Sequence, residues 1–170
     1  MKLTKEKKSF LDSVVKGNWS VNPDTGLVDV DGSVYMGGCN LKKIPVKFGN
    51  VSGCFDCDYN ELKSLKSSPQ SVGKHFFCSY NQLISLEGAP QSVGGYFNCR
   101  HNNLTSLVGA PQSVGDYFFI ELNYIDKAHY YIIIPEIEEM MERDVKLYRP
   151  NEYYYPYKEA YYNAKLVDVL

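Results

Sequence analysis

No apolar run in this 170-residue chain approaches the ~20 residues needed to cross a bilayer. An excess of positive charge is also missing. The formal net charge is −2 and the isoelectric point about 5.9, without the basic stripe a general nucleic-acid binder carries. Histidine is scarce: His75, His101 and His129 are the only three, and none sits in an H-x-x-x-H or H-E pairing for a metal. There is no G-x-S-x-G elbow, no phosphate-cradling glycine loop and no dinucleotide fingerprint. These absences lead to the expectation of a non-enzymatic chain with no cofactor, no bound metal, and neither nucleic acid nor membrane as partner. The N-terminal MKLTKEKKSFLDSVV has basic residues, but its apolar stretch is too short and too charged for a secretory segment, so a cytoplasmic location is expected.

What the chain does have is repetition. Val51–Ser71 (VSGCFDCDYNELKSLKSSPQS), Val72–Ser92 (VGKHFFCSYNQLISLEGAPQS) and Val93–Ser113 (VGGYFNCRHNNLTSLVGAPQS) are three versions of one 21-residue phrase. A period near 20 marks a solenoid, in which each unit buries its apolar side only by stacking on its neighbours. The register extends in both directions. Asn123 follows Asn60, Asn81 and Asn102, while Val30, Val34, Met36, Cys39, Leu41 and Ile44 match the unit after them. The array therefore runs from Val30 to Tyr124, about four full units and one partial one. A hydrophobic content of 44% suffices for a continuous core in one domain.

Comparing the copies reveals what each position requires. Val34, Phe55, Phe76, Phe97 and Phe118 form one column; Met36, Cys57, Cys78, Cys99 and Ile120 form another, two residues on. Side chains alternate along a strand, so both columns face one side. Because apolar residues replace cysteine at both ends, the second column asks for a mid-sized hydrophobe, not a thiol. Cys54-x-x-Cys57 could be half of a zinc site or a redox pair, but in this register the two thiols point to opposite faces. Leu62/Leu65, Leu83/Leu86 and Leu104/Leu107 complete the inward set. The asparagines fit an internal ladder whose amides satisfy backbone groups where the chain leaves the strand. Pro69, Pro90 and Pro111, with Gly88 and Gly109, predict an extended, non-helical return path.

The phrase F-x-C-x-x-N-x-L-x-S-L-x-x-A-P, as in Phe97–Pro111, resembles a leucine-rich repeat, L-x-L-x-x-N/C-x-L, and Cys39 in the Asn column fits its N/C alternation. The short, proline-bearing form is similar to the repeats of secreted bacterial effectors. The fuller wording G-x-F-x-C-x-x-N-x-L-x-S-L-x-G-A-P resembles still more closely repeats in uncharacterised proteins of large tailed bacteriophages. Phenylalanine and cysteine stand where leucine is usual, and one extra residue precedes the strand. The resemblance implies a β-rich solenoid with a parallel sheet of short stacked strands. It also implies a concave strand face as the contact surface. The ubiquitin-ligase domain of some effectors has no counterpart in length here, so that activity is not implied.

An array needs caps at its open ends. Residues 1–29 read as the first. Thr4–Lys16 forms an amphipathic helix, with Thr4 as N-cap and Gly17 as stop, followed by a hairpin of Trp19–Val21 and Leu27–Val30. Trp19, the only tryptophan, is expected to cover the end of the core. Residues 125–170 read as a helical C-terminal cap rich in tyrosine: ten of the 15 tyrosines lie in Tyr124–Leu170. Helices are expected over Glu136–Arg143 and Tyr157–Leu170, with a loop at Arg149–Pro156. The three rings of Tyr153–Tyr155 cannot all face one core, which makes Tyr154 a candidate contact residue.

The outward columns are the candidate site. They run Cys54, His75, Tyr96, Tyr117; Asp56, Phe77, Asn98, Phe119; Asp58, Ser79, Arg100, Glu121; and Tyr59, Tyr80, His101, Leu122. Phenylalanines facing outward beside tyrosines and an arginine have the composition of an interface hot spot. Partner-binding candidates are thus His75, Phe77, Tyr80, Tyr96, Asn98, Arg100, Tyr117, Phe119 and Tyr154, with a host or viral protein as partner and, for a phage-encoded chain, the host cytoplasm as location. Alternatives stay open. The C-terminal segment could cover this strip, the chain could self-assemble into a homo-oligomer, a sugar or polyanion could bind the aromatic strip, or the tyrosine-rich C-terminal segment could serve an enzyme or small-ligand site.

Overall fold

In the computed structural model, residues 3–120 and Asn123 are described, together with the backbone of residues 146–147. The expected C-terminal helices and Tyr154 lie outside the described residues.

The first helix, α1 (Lys5–Val14), starts where the sequence indicates. Thr4 is its N-cap, with Oγ1 accepting from the Lys7 N–H at 3.4 Å. Leu11 and Val14 face the core. The end differs from expectation, because Val15 is already extended and opens strand β1 (Val15–Val21). Gly17 is no helix stop. It lies within β1 at φ +133°, directly across from Gly32 at φ +138°, and a Cβ on Gly17 would fall 2.2 Å from the Asp31 carbonyl oxygen. Only glycine permits that backbone angle and approach. β1 pairs antiparallel with β2 (Val28–Tyr35), so the hairpin is longer than expected at both ends. Its turn is organised by Asn22, whose Oδ1 accepts from the N–H groups of Asp24 and Thr25.

β2 is the template for everything that follows. Its first half pairs with β3 (Phe48–Val51) and its second half with β4 (Phe55–Asp56), both parallel. From there two ladders grow side by side. On β3 stack β5 (Ser71–Val72), β7 (Ser92–Val93) and β9 (Ser113–Val114). On β4 stack β6 (Phe76–Phe77), β8 (Phe97–Asn98) and β10 (Tyr117–Phe119), and β11 (Lys146–Leu147) adds a parallel rung to β10. The architecture is a parallel β-solenoid of about four turns. The expected return path is extended and non-helical, but it holds a second strand ladder that the sequence reading did not anticipate.

The core runs along the axis. Phe55, Phe76, Phe97 and Phe118 are fully buried and stacked, with centroid separations of 5.4, 5.1 and 4.8 Å. Cys57, Cys78 and Cys99 are buried, with the thiols of Cys57 and Cys99 donating to the carbonyls of Phe77 and Phe119. Burial pushes the Cys57 and Cys78 thiols up, away from the reactive thiolate. The return path bends at Gly88 and Gly109 with φ +87° and +84°, and Ser67 adopts the same left-handed angle at the matching position.

The asparagine ladder is complete in every full coil. Asn81 Nδ2 donates to the carbonyls of Cys57, Cys78 and Ser79 at 2.9, 3.2 and 3.1 Å, and its Oδ1 accepts from the Leu62 N–H at 2.9 Å. Asn60 and Asn102 repeat that pattern one coil either side. Asn123 continues it through Cys99, Ile120 and Leu104. Each amide thus sews its own coil to the preceding one, its oxygen serving an N–H that has no backbone acceptor. Cys39, at the matching position of the first unit, is exposed and only contacts the Gly37 carbonyl, so it does not join the ladder.

Candidate functional site

The β4–β6–β8–β10 ladder presents the outward columns at one rung per coil, and two aromatic stacks form along it. One stack is His75–Tyr96–Tyr117, with centroids 4.6 and 6.3 Å apart. His75 is fixed by its backbone neighbour: Nδ1 accepts the Tyr96 N–H at 2.9 Å. Gly95 makes this possible, since a Cβ there would lie 2.4 Å from that nitrogen. Phe77 and Phe119 flank this stack, with Phe119 edge-on to Tyr96 at 5.6 Å and the Arg100 guanidinium 4.4 Å from the Phe119 centroid. Asn98 lies between the two phenylalanines in register and, through Oδ1, accepts from the Arg100 N–H.

The second stack is Tyr59–Tyr80–His101, with separations of 4.4 and 4.1 Å and planes within 14° of parallel. All three residues occupy left-handed backbone, at φ 53°, 52° and 50°. Aromatic residues seldom adopt this angle. Here it turns successive rings the same way, so they stack. Tyr80 is accordingly separated from the other candidates and belongs with Tyr59 and His101, which the sequence reading placed in the column without choosing them as contact residues. Among the described residues exposed tyrosine surface is greatest at Tyr59 (61%), then Tyr35 (47%), Tyr80 (43%) and Tyr117 (41%).

One face assignment is corrected. Ser79, expected outward with Asp58 and Arg100, is buried; its N–H donates to Asp58 Oδ1 and its hydroxyl reaches the Asn98 carbonyl. Asp58 is half-buried, and its own N–H donates to Asp56 Oδ1 at 2.9 Å. Burial, reinforced by the Asp56 charge and opposed by the hydrogen bonds from Ser79, pushes the Asp58 carboxyl up to about 6.

This geometry limits what the face can do chemically. Rings stacked within 5 Å, as in Tyr59–Tyr80–His101 and His75–Tyr96, fill one another's faces, so they offer edges, hydroxyls and imidazole nitrogens rather than a flat platform for a sugar or base. Among the described residues no group of three or more His, Cys, Asp or Glu is placed to hold a metal ion, and no helix is long and apolar enough to cross a membrane. Cys54 is half-buried and Cys57 buried, without a disulfide between them.

The class these features define is a parallel β-solenoid with an aromatic strand face. No protein-family model matches the sequence, and neither a curated protein nor a solved structure shows significant similarity to it.

Proposed function

We propose that this solenoid is a non-catalytic protein-binding module that engages a host or viral protein through its strand face. The observation that supports this most directly is the pair of aromatic columns held in register on one rigid ladder, with exposed tyrosine edges and a guanidinium beside them. Tyrosine supplies large contact area with little loss of rotamer freedom, and arginine adds a planar fork of N–H donors, as interface hot spots require. The leucine-rich-repeat character rests on the N-x-L-x-x-L phrase together with the asparagine ladder. A phage origin and a host-cytoplasmic location rest on the resemblance of the repeat wording alone.

The experiment is affinity purification from infected or native cells, comparing the wild-type chain with Tyr80→Ser plus Tyr117→Ser, one change in each stack. A partner retained by wild type and lost by a folded double variant supports the reading; undiminished capture removes this face from consideration. Self-assembly is the rival reading, tested by light scattering over a concentration series. A monomer throughout excludes it.

A further inference from the structure

The Tyr59–Tyr80–His101 stack has a head, and the head is unlike its interior. Tyr80 has a ring against both faces, but the position one rung above Tyr59 is Gly38, at φ +68°. A Cβ at Gly38 would meet nothing within 4 Å, Tyr80 is the one ring stacked on Tyr59 among the described residues, and Tyr59 is 61% exposed. On the same rung the Asp58 N–H donates to Asp56 Oδ1, and the Asp56 charge acts on the Asp58 carboxyl beside it. Tyr35 pairs in register with Asp56 from the coil above. Gly37 keeps that carboxylate approachable, because a Cβ there would stand 3.1 Å from Asp56 Oδ1.

Neither aspartate has a cation within 4 Å among the described residues, whose ion pair is Lys42–Glu61. The half-buried Asp58 carboxylate is instead met by N–H donation from Ser79. An open ring face beside two uncompensated carboxylates is complementary to one kind of group. A cation lying on the ring gains the attraction of its negative face, and its N–H groups are matched to carboxylate oxygens.

We propose that the end of the strand face formed by Tyr35, Asp56, Asp58 and Tyr59 receives a lysine or arginine side chain of the protein partner. This rests on the strand-face reading above and specifies its chemistry: the partner carries a basic residue that seats at the first full coil.

The test is a titration of the isotopically labelled full chain with hexa-arginine and hexa-lysine peptides, followed by amide NMR shifts, with hexa-glutamate as control. Saturable shifts confined to residues 37–38 and 56–59 are expected for the basic peptides and not for the acidic one. Two independent variants should weaken binding about tenfold or more. Asp56→Asn plus Asp58→Asn removes the charge, and Gly38→Tyr lays a fourth ring over Tyr59 at a backbone angle that column already uses. Shifts spread over other exposed carboxylates such as Glu61 and Glu87, or affinity unchanged in Gly38→Tyr, would overturn the proposal. The two readings fail separately. If Gly38→Tyr captures the cellular partner normally while Tyr80→Ser plus Tyr117→Ser does not, the strand face stands and the basic anchor is discarded.

Discussion

Asn81 Oδ1 accepts the backbone N–H of Leu62 at 2.9 Å, linking two residues 19 positions apart across adjacent coils. The same side chain donates to three carbonyls, two in its own coil and one in the coil before. Asn81→Leu fills a similar volume but leaves that N–H buried without a partner, while the Cys57, Cys78 and Ser79 carbonyls keep their second donors, Asn60 Nδ2, Asn102 Nδ2 and the Tyr59 N–H. One orphaned buried N–H costs about 1–3 kcal/mol, so the variant should lose roughly that much in denaturant unfolding. A loss below about 1 kcal/mol would show that water replaces the amide.

Neighbouring phenylalanines of one strand should behave oppositely. Phe76 is fully buried between Phe55 and Phe97, whereas Phe77 is half-buried on the outer face. Phe76→Ala should cost about 3–5 kcal/mol, since the ring leaves a cavity between two rigid rungs. Phe77→Ala should cost about 1 kcal/mol or less. Equal losses, measured by urea midpoints, would contradict the face assignment.

The Asp58 carboxyl gives stability a pH dependence of definite sign. Its folded-state value, about 6, lies above the ordinary aspartate value of about 3.9. Between those values the folded state binds more protons than the unfolded one, so stability falls as pH rises from about 4 to 6 and then levels off. Asp58→Asn keeps an oxygen to accept from Ser79 and should flatten that slope. At pH 7 the variant should be more stable by about 1 kcal/mol, allowing for solvent screening. A variant as pH-dependent as wild type would assign the slope elsewhere.

Ser67 stands where the next two coils have Gly88 and Gly109, and all three share a left-handed backbone at φ +82°, +87° and +84°. An L-residue is strained there by about 1 kcal/mol. Ser67→Gly should therefore raise the thermal midpoint by a few degrees. A lower midpoint would mean that the serine contributes more than its backbone costs.

Much of this molecule was legible as text. A 21-residue period carries each residue onto its counterpart one rung away, so the stacking of Phe55, Phe76, Phe97 and Phe118 and the linking role of Asn60, Asn81 and Asn102 followed from comparing copies. The second ladder did not follow, because its strands are two residues long and a Ser-Val pair carries no alternation to detect. The extent of α1 was misread at Gly17 because glycine after an apolar helical face has two uses, a C-cap and a close strand crossing. Only the partner strand across from it distinguishes them.

Periodicity alone determined which residues stack on which, since translation by one coil preserves every register. It could not determine what lies beside a residue within its own coil, because that depends on backbone angles the text does not display. The left-handed turn at Tyr59, Tyr80 and His101 decided that three rings stack face to face. The inward roll of Ser79 placed its N–H on Asp58. Gly38, having no side chain, supplies no further ring above Tyr59. Those lateral placements, set by the folded backbone, are what turn a stack of similar phrases into a surface with a distinguishable end.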